Sequence, residues 1–169
     1  MTGLERNADV VHMASYAPLF AHVDGWQWTP DLIWFDNLRS FGTPNYYVQK
    51  LFATNRGTRV VPLTANSHPV EGELGLYASA ARDDSSHELI LKIVNTNTNV
   101  SKVTIDLQGS LRYTSTARQW LMTASPEATN SLDSPSSVAP IESTVELKGK
   151  KLNLELKPES FTVVRVALK

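Results

Sequence analysis

The sequence predicts a mainly β fold, a jelly-roll-like antiparallel β-sandwich preceded by a helix–strand–helix segment. From Arg59 onward, polar and apolar residues alternate in about eight short stretches joined by polar turns, with no helical pattern between them. Before Arg59, helical signals flank one continuous apolar run, which is the order of an α/β unit. The 169 residues suffice for one well-cored domain and a piece of another.

The first predicted element is an amphipathic helix that begins near Gly3. Thr2 and Glu5 have the T-x-x-E spacing of a capping box, in which each side chain accepts the free backbone N–H of the other residue. Apolar and small residues then recur through Ala17, and Pro18 limits the last turn because it cannot donate a helical hydrogen bond. We therefore expect one helix over residues 3–17.

A loop and a buried strand are predicted next. Residues 22–30 are rich in turn formers and carry two tryptophans, Trp26 and Trp28. In residues 31–35 the apolar side chains are consecutive instead of alternating, which favours a short strand covered on both faces.

A second helix should begin at Pro44, with the Thr43 hydroxyl as N-cap, because proline is well tolerated in the first helical position. It should end near residues 55–57, where asparagine and glycine favour a C-cap. These α/β signals stop there. We therefore predict two domains, with residues 1–57 as a piece of an α/β domain and residues 58–169 as the sandwich.

The strands of the sandwich are predicted from their period of two. Leu152, Leu154 and Leu156 alternate with polar residues and give the clearest half-buried strand. Residues 124–140, rich in Ser, Pro, Ala and Asn, are expected to form a long loop. The predicted strands are 59–64, 74–81, 88–95, 102–107, 114–121, 144–148, 152–157 and 161–168.

Composition narrows the classes of partner. The net charge of -1 gives no electrostatic footprint for nucleic acid or an anionic membrane, so we expect neither as a partner. There is no cysteine, and the four histidines are scattered without a ligand spacing, so we predict no metal and no cofactor. The N-terminus lacks the order of a signal peptide. Because the chain opens directly on a helix of internal character, we expect the natural protein to extend upstream of Met1.

Four segments resemble one enzyme family, the family 51 α-L-arabinofuranosidases. Residues 4–20 (LERNADVVHMASYAPLF) closely resemble the last-but-one barrel helix of that family. Residues 28–36 and 42–52 look like its eighth barrel strand and eighth helix, and residues 160–166 look like the closing strand of its C-terminal sandwich. The resemblance implies that residues 1–57 are the C-terminal remnant of a catalytic (β/α)₈ barrel, which in full needs about 250 residues.

The resemblance implies a parent enzyme that releases terminal arabinofuranosyl residues from arabinose-containing polysaccharides with retention of configuration. Retention uses two carboxyl groups about 5 to 5.5 Å apart. In the family these are glutamates on the fourth and seventh barrel strands, both upstream of Leu4, so no catalytic residue is expected here. The location of the parent stays open, with a secreted or periplasmic enzyme expected.

Four residues are candidates for contact with the substrate: Trp26, Trp28, Asp36 and Asn37. Substrates of barrel enzymes meet the C-terminal ends of the strands and the loops beside them, and Asp36 and Asn37 directly follow the predicted strand. An indole can stack on the apolar face of a sugar. The alternative is that the two tryptophans fill the barrel or its contact with the sandwich.

Three functions remain open on the sequence. The first is a non-catalytic domain that packs on the barrel and stabilises it; severed from the barrel, its apolar elements should fold back on the sandwich or join a second copy of the chain. The second is a carbohydrate-binding module with an aromatic platform of Tyr77, Tyr113 and Trp120. The third is a complete enzyme that uses a carboxylate pair of its own, Glu71/Glu73 or Asp83/Asp84.

Overall fold

The computed structural model describes residues 1–169. Its first part combines two helices with a small three-stranded sheet, in which β1 and β2 are parallel and β2 and β3 antiparallel. Neither helix is long and apolar enough to cross a membrane. In chain order these elements are α1 (Thr2–Arg6), β1 (Phe20–His22), β2 (Ile33–Phe35), β3 (Ser40–Gly42) and α2 (Pro44–Thr54).

The second part is an antiparallel sheet of eight strands in the order β4-β7-β8-β13-β10-β11-β12-β9, with a separate β5-β6 hairpin. The strands are β4 (Arg59–Val61), β5 (Thr64–Ala65), β6 (His68–Pro69), β7 (Leu76–Asp83), β8 (Glu88–Asn95), β9 (Ser101–Asp106), β10 (Thr116–Thr123), β11 (Ile141–Lys148), β12 (Lys151–Leu156) and β13 (Ser160–Ala167).

The eight-stranded sheet curls on itself and encloses the main core. Strand β11 makes the turn: its first residues pair with β10, whereas Leu147 and Lys148 pair with β12. As a result Leu152 and Leu154 of β12 share one apolar cluster with Ala80 of β7, although these strands are distant in the sheet order. The predicted mainly β, antiparallel fold is confirmed, and its two packed layers are halves of one continuous sheet.

Helix α2 forms as predicted and covers the outer face of this sheet. The Thr43 hydroxyl accepts a hydrogen bond from the Tyr46 backbone N–H at 3.3 Å, and Asn55 is the C-cap. Leu51 and Phe52 are buried in a second apolar cluster with residues of β8, β10 and β13. The Phe52 ring stacks on Phe161 with 5.1 Å between ring centroids, so the apolar face of this helix packs on the sandwich.

Two predictions for the first part are wrong. The opening helix ends at Arg6 instead of reaching residue 17, and its N-cap is Met1 without a side-chain hydrogen bond. Glu5 does not close a capping box, because its carboxylate instead forms an ion pair with the ammonium group of the buried Lys92. His22, predicted to start a loop, instead ends β1, and this unpredicted strand pairs with β2.

Residues 55–58 join α2 directly to β4, and they are held against β7. The Thr58 backbone N–H donates to the Arg82 carbonyl at 2.8 Å. A Cβ at Gly57 would lie 2.6 Å from the Ala81 Cβ and 2.8 Å from the Arg82 carbonyl oxygen, so only glycine allows this approach. The connection is therefore short and packed.

The close approach at Gly57 predicts a clear cost for a single methyl group. Gly57→Ala should lower the free energy of unfolding by about 1 to 3 kcal/mol, because the added carbon forces the connection away from β7. Urea unfolding measures this change. Gly25→Ala is the matched control, since nothing lies within 4 Å of its added carbon, and equal stabilities for the two variants would contradict the packing described.

Candidate functional site

The four candidate substrate residues lie at one edge of the small sheet. Because β1 and β2 run parallel, their carboxyl ends meet at the same edge, where His22 pairs in register with Phe35. The loop with Trp26 and Trp28 follows β1, and Asp36 and Asn37 follow β2. The two segments that sequence reasoning selected separately are therefore neighbours, and the pairing that brings them together is the unpredicted strand β1.

The two tryptophans of this edge are exposed. Trp26 is 51% and Trp28 65% exposed, so neither fills an interior within this chain. The Trp26 ring makes an edge-on contact with Trp34 of β2, with 5.8 Å between centroids. On the neighbouring strands, His22 contacts Phe35 in the same way at 5.2 Å. The edge thus presents aromatic rings, two of which face solvent.

The Asp36 side chain makes its hydrogen bonds within the turn between β2 and β3. Its carboxylate accepts hydrogen bonds from the backbone N–H groups of Leu38 at 2.8 Å and Arg39 at 2.6 Å, and it pairs with the Arg39 guanidinium at 3.1 Å. These bonds, chiefly that from Leu38, hold the pKa of Asp36 below its ordinary value. Asp36 is therefore ionised and shapes the turn, while the neighbouring Asn37 is exposed.

The carboxylate pairs considered for an independent enzyme lack the environment of a general acid. Asp83 has its pKa lowered first by the Ser86 hydroxyl, and Asp84 first by the Arg59 side chain. The pKa of Glu73 is also lowered, by backbone hydrogen bonds at residues 73 and 71. An acid in catalysis needs a raised pKa, and these three carboxyl groups have the opposite shift.

The proposed aromatic platform does not form. Tyr113 packs against the main core and Trp120 against the outer cluster below α2. Tyr77 is 40% exposed on β7, with its hydroxyl close to Gly72. The three rings therefore lie in different places and offer no common flat surface to a sugar chain.

A polar junction that the sequence reasoning missed ties α1 to the sandwich. The Lys92 ammonium, 0% exposed, donates to Glu5, and the same carboxylate accepts from the Ser79 hydroxyl. Arg6 donates to the Ala78 carbonyl at 2.8 Å and pairs with Glu71 at 3.2 Å. The sequence did contain a signal for this junction. Lys92 interrupts the apolar run of β8, and a charge in such a position needs a partner.

Comparison with known proteins gives a family match along nearly the whole chain. A model described as the alpha-L-arabinofuranosidase C-terminal domain matches residues 1–160. The chain is 32% identical to alpha-L-arabinofuranosidase 1 of Arabidopsis thaliana, over 96% of its own length and 24% of that protein. It is 58% identical to an extracellular exo-alpha-L-arabinofuranosidase of Streptomyces chartreusis over 81 residues, 45% of this chain and 10% of that protein.

Solved structures agree with the fold. The arabinose-bound MgGH51 α-L-arabinofuranosidase superposes with a TM-score of 0.89 at 33% identity, over 100% of this chain and 26% of that one. The Thermotoga maritima α-L-arabinofuranosidase superposes at 0.81 with 21% identity, over 97% of this chain and 36% of that chain. The chain therefore spans about a quarter of the length of its full-length relatives.

Proposed function

Because this chain belongs to the α-L-arabinofuranosidase C-terminal domain family, we propose that it is the non-catalytic C-terminal part of a retaining α-L-arabinofuranosidase. The parent enzyme releases terminal arabinofuranosyl residues from arabinose-containing polysaccharides. Within it, residues 1–57 complete the catalytic (β/α)₈ barrel, and residues 58–169 form the sandwich that packs on the barrel and stabilises it. Both catalytic carboxylates belong to the upstream barrel.

The observation that carries this proposal is that β1 has an unpaired edge and exposed apolar side chains. This strand pairs only with β2, and its Phe20 is 59% exposed beside Leu19 at 46%. Asp31, 2% exposed, keeps one carboxylate oxygen buried without a hydrogen-bond partner. An open strand edge, an apolar patch and an unsatisfied acceptor in one region fit a surface that further polypeptide covers.

The docking of β1 on the upstream barrel can be tested with Phe20→Asp. In the full-length parent we expect the melting temperature to fall by several degrees, because a charge would be buried at the contact. In the chain described here the same change should alter stability by less than about 0.5 kcal/mol, since Phe20 is already exposed. Equal effects in both proteins would contradict the docking.

The proposed activity is tested by hydrolysis of an aryl α-L-arabinofuranoside. The natural gene product should be longer than this chain and active, whereas residues 1–169 alone should be inactive. Hydrolysis by this chain alone, lost on changing Glu71 or Asp83, would overturn the proposal and favour an independent enzyme.

We expect the edge with Trp26, Trp28, Asp36 and Asn37 to form part of the substrate-binding wall. Trp26→Ala in the full-length enzyme should raise KM for an arabino-oligosaccharide by about threefold to tenfold, with kcat nearly unchanged, because stacking holds substrate and transition state alike. Ile141→Ala, which removes an exposed apolar side chain from β11, is the control. An unchanged KM in the Trp26 variant would assign this ring to packing.

A further inference from the structure

A groove on the outer side of the sandwich lies apart from the edge described above. It is open to solvent on one side and has a volume of about 530 Å³ between α2, β10 and the end of the long loop 124–140. Helix α2 supplies Tyr47 and Lys50, and β10 supplies the half-buried Trp120. This volume is within the range of small-molecule sites and exceeds what a single small anion fills.

The lining of the groove is cationic. Lys50, Arg118 and Arg165 all border it, and no acidic residue is among the residues that line it. Lys50 is exposed and takes part in none of the ion pairs of the chain. A carboxylate or another anion entering the groove would therefore meet positive charge from both α2 and the sheet.

Glu88 lies behind the groove and fixes the two guanidinium groups. It accepts from the Arg165 Nε at 2.8 Å and from the Arg118 Nη2 at 3.1 Å. Burial alone would raise the pKa of Glu88, but the hydrogen bonds from Arg165 and Arg118 outweigh it and lower the pKa. Glu88 stays ionised and acts as a positioning residue. Asp83 lies 3.7 Å from Arg165, and Glu142 stands opposite Trp120 in the register of β10 and β11. Lys50 is therefore the one lining cation that has no acidic partner.

Aromatic and amide groups complete the recognition surface. The Arg118 guanidinium lies 5.3 Å from the Trp120 ring centre, which holds the indole and the cation together. The Asn55 amide is fixed at the other wall, since its Nδ2 donates to the Leu51 carbonyl at 3.0 Å and its Oδ1 accepts from Arg165 at 3.4 Å. Flat rings beside such polar groups suit a sugar ring with its C–H faces and hydroxyls.

We infer that this groove binds a uronic acid residue of an oligosaccharide, with the sugar ring against Trp120 and Tyr47 and its carboxylate between Lys50 and Arg118. A neutral sugar would leave Lys50 without an anionic partner, and an inorganic anion would make no use of the rings. Nucleic acid is disfavoured by the net charge of -1. The site depends neither on barrel docking nor on arabinoside hydrolysis.

The test uses the chain itself with three probes in low-salt buffer: a trigalacturonate, an arabinotriose and inorganic phosphate. Calorimetry should show the trigalacturonate bound at least tenfold more tightly than either other probe, with affinity falling as sodium chloride is added. Lys50→Glu should weaken this binding at least fivefold, whereas Lys148→Glu, an exposed lysine outside the groove, should not. Equal affinity for the neutral sugar or for phosphate would overturn the inference.

Indole NMR signals separate this site from the proposed substrate edge. The Trp120 resonance should shift on titration while those of Trp26 and Trp28 stay in place. Shifts confined to Trp26 and Trp28 would assign the sugar to the edge of the small sheet that carries these residues and would reject the groove. The groove would also be rejected if the Lys50→Glu variant bound the trigalacturonate as tightly as the unmodified chain.

Discussion

Replacing Glu5 by glutamine is expected to lower the free energy of unfolding by about 3 kcal/mol, because it leaves a buried lysine without its counter-charge. Lys92 is 0% exposed and Glu5 15% exposed, so solvent screens this pair little. Urea unfolding followed by circular dichroism measures the change. The consequence would be a loosened α1, since Glu5 and Arg6 are the two side chains that bind it to the sheet through polar contacts.

The matched control for this variant is Glu71→Gln. Glu71 also pairs with α1, through Arg6, but its side chain is 55% exposed. Exposed ion pairs contribute less than about 1 kcal/mol, so this variant should remain close to the original stability. A similar loss in both variants would mean that burial of Lys92 does not decide the strength of its pair.

The same pair gives a dependence on pH that can be assigned by sign. Burial lowers the pKa of Lys92 from its ordinary 10.5, and Glu5 partly offsets this. Between the lowered pKa and 10.5, the unfolded chain binds more protons than the folded chain, so the free energy of unfolding rises with pH. Glu5→Gln should extend this rise to lower pH, whereas Lys92→Met should lack the contribution. Parallel pH profiles for the two variants would contradict the assignment.

Phe52→Ala is the second change with a large expected effect, a loss of about 3 to 5 kcal/mol. The ring stacks on Phe161 and lies 5.1 Å from the Lys92 ammonium, so it joins α2 to the sheet through two contacts. Phe20→Ala is the control, because it removes the same side chain from a position that is 59% exposed.

Urea unfolding measures the effect of Phe52→Ala, and the shape of the unfolding curve also tests the proposed domain boundary after residue 57. We expect one cooperative transition for the original chain, because α2 is buried in the same cluster as β8 and β13. Two separate transitions in the original chain, with only the first sensitive to Phe52→Ala, would show that residues 1–57 fold independently of the sandwich.

Much of the fold could be predicted from local pattern. Strand β8 was predicted with its observed bounds, Glu88–Asn95, and α2 with its N-cap, Thr43. In both cases the residues themselves carry the signal, as periodicity or as capping chemistry. Strands β1 and β3 have only three residues each, too few to establish a period, and their pairing with β2 is a tertiary property.

The candidate sites, too, depend on tertiary contacts that local sequence pattern cannot predict. The loop with Trp26 was found from its composition, but its position beside Asp36 depends on the parallel pairing of β1 with β2. The groove is even harder to predict from the sequence, because Lys50, Trp120 and Arg165 come from three distant parts of the chain. No spacing in the sequence relates them, and only the curled sheet and the packing of α2 bring them to one place.

The short, packed connection at residues 55–58 limits motion between α2 and the sandwich. A module on a long linker swings and captures substrate at many distances, whereas Gly57 against β7 allows no such freedom. If the groove and the edge that carries Trp26 both bind sugar, as proposed above, the distance between the two sites would be constant, because no flexible linker separates them.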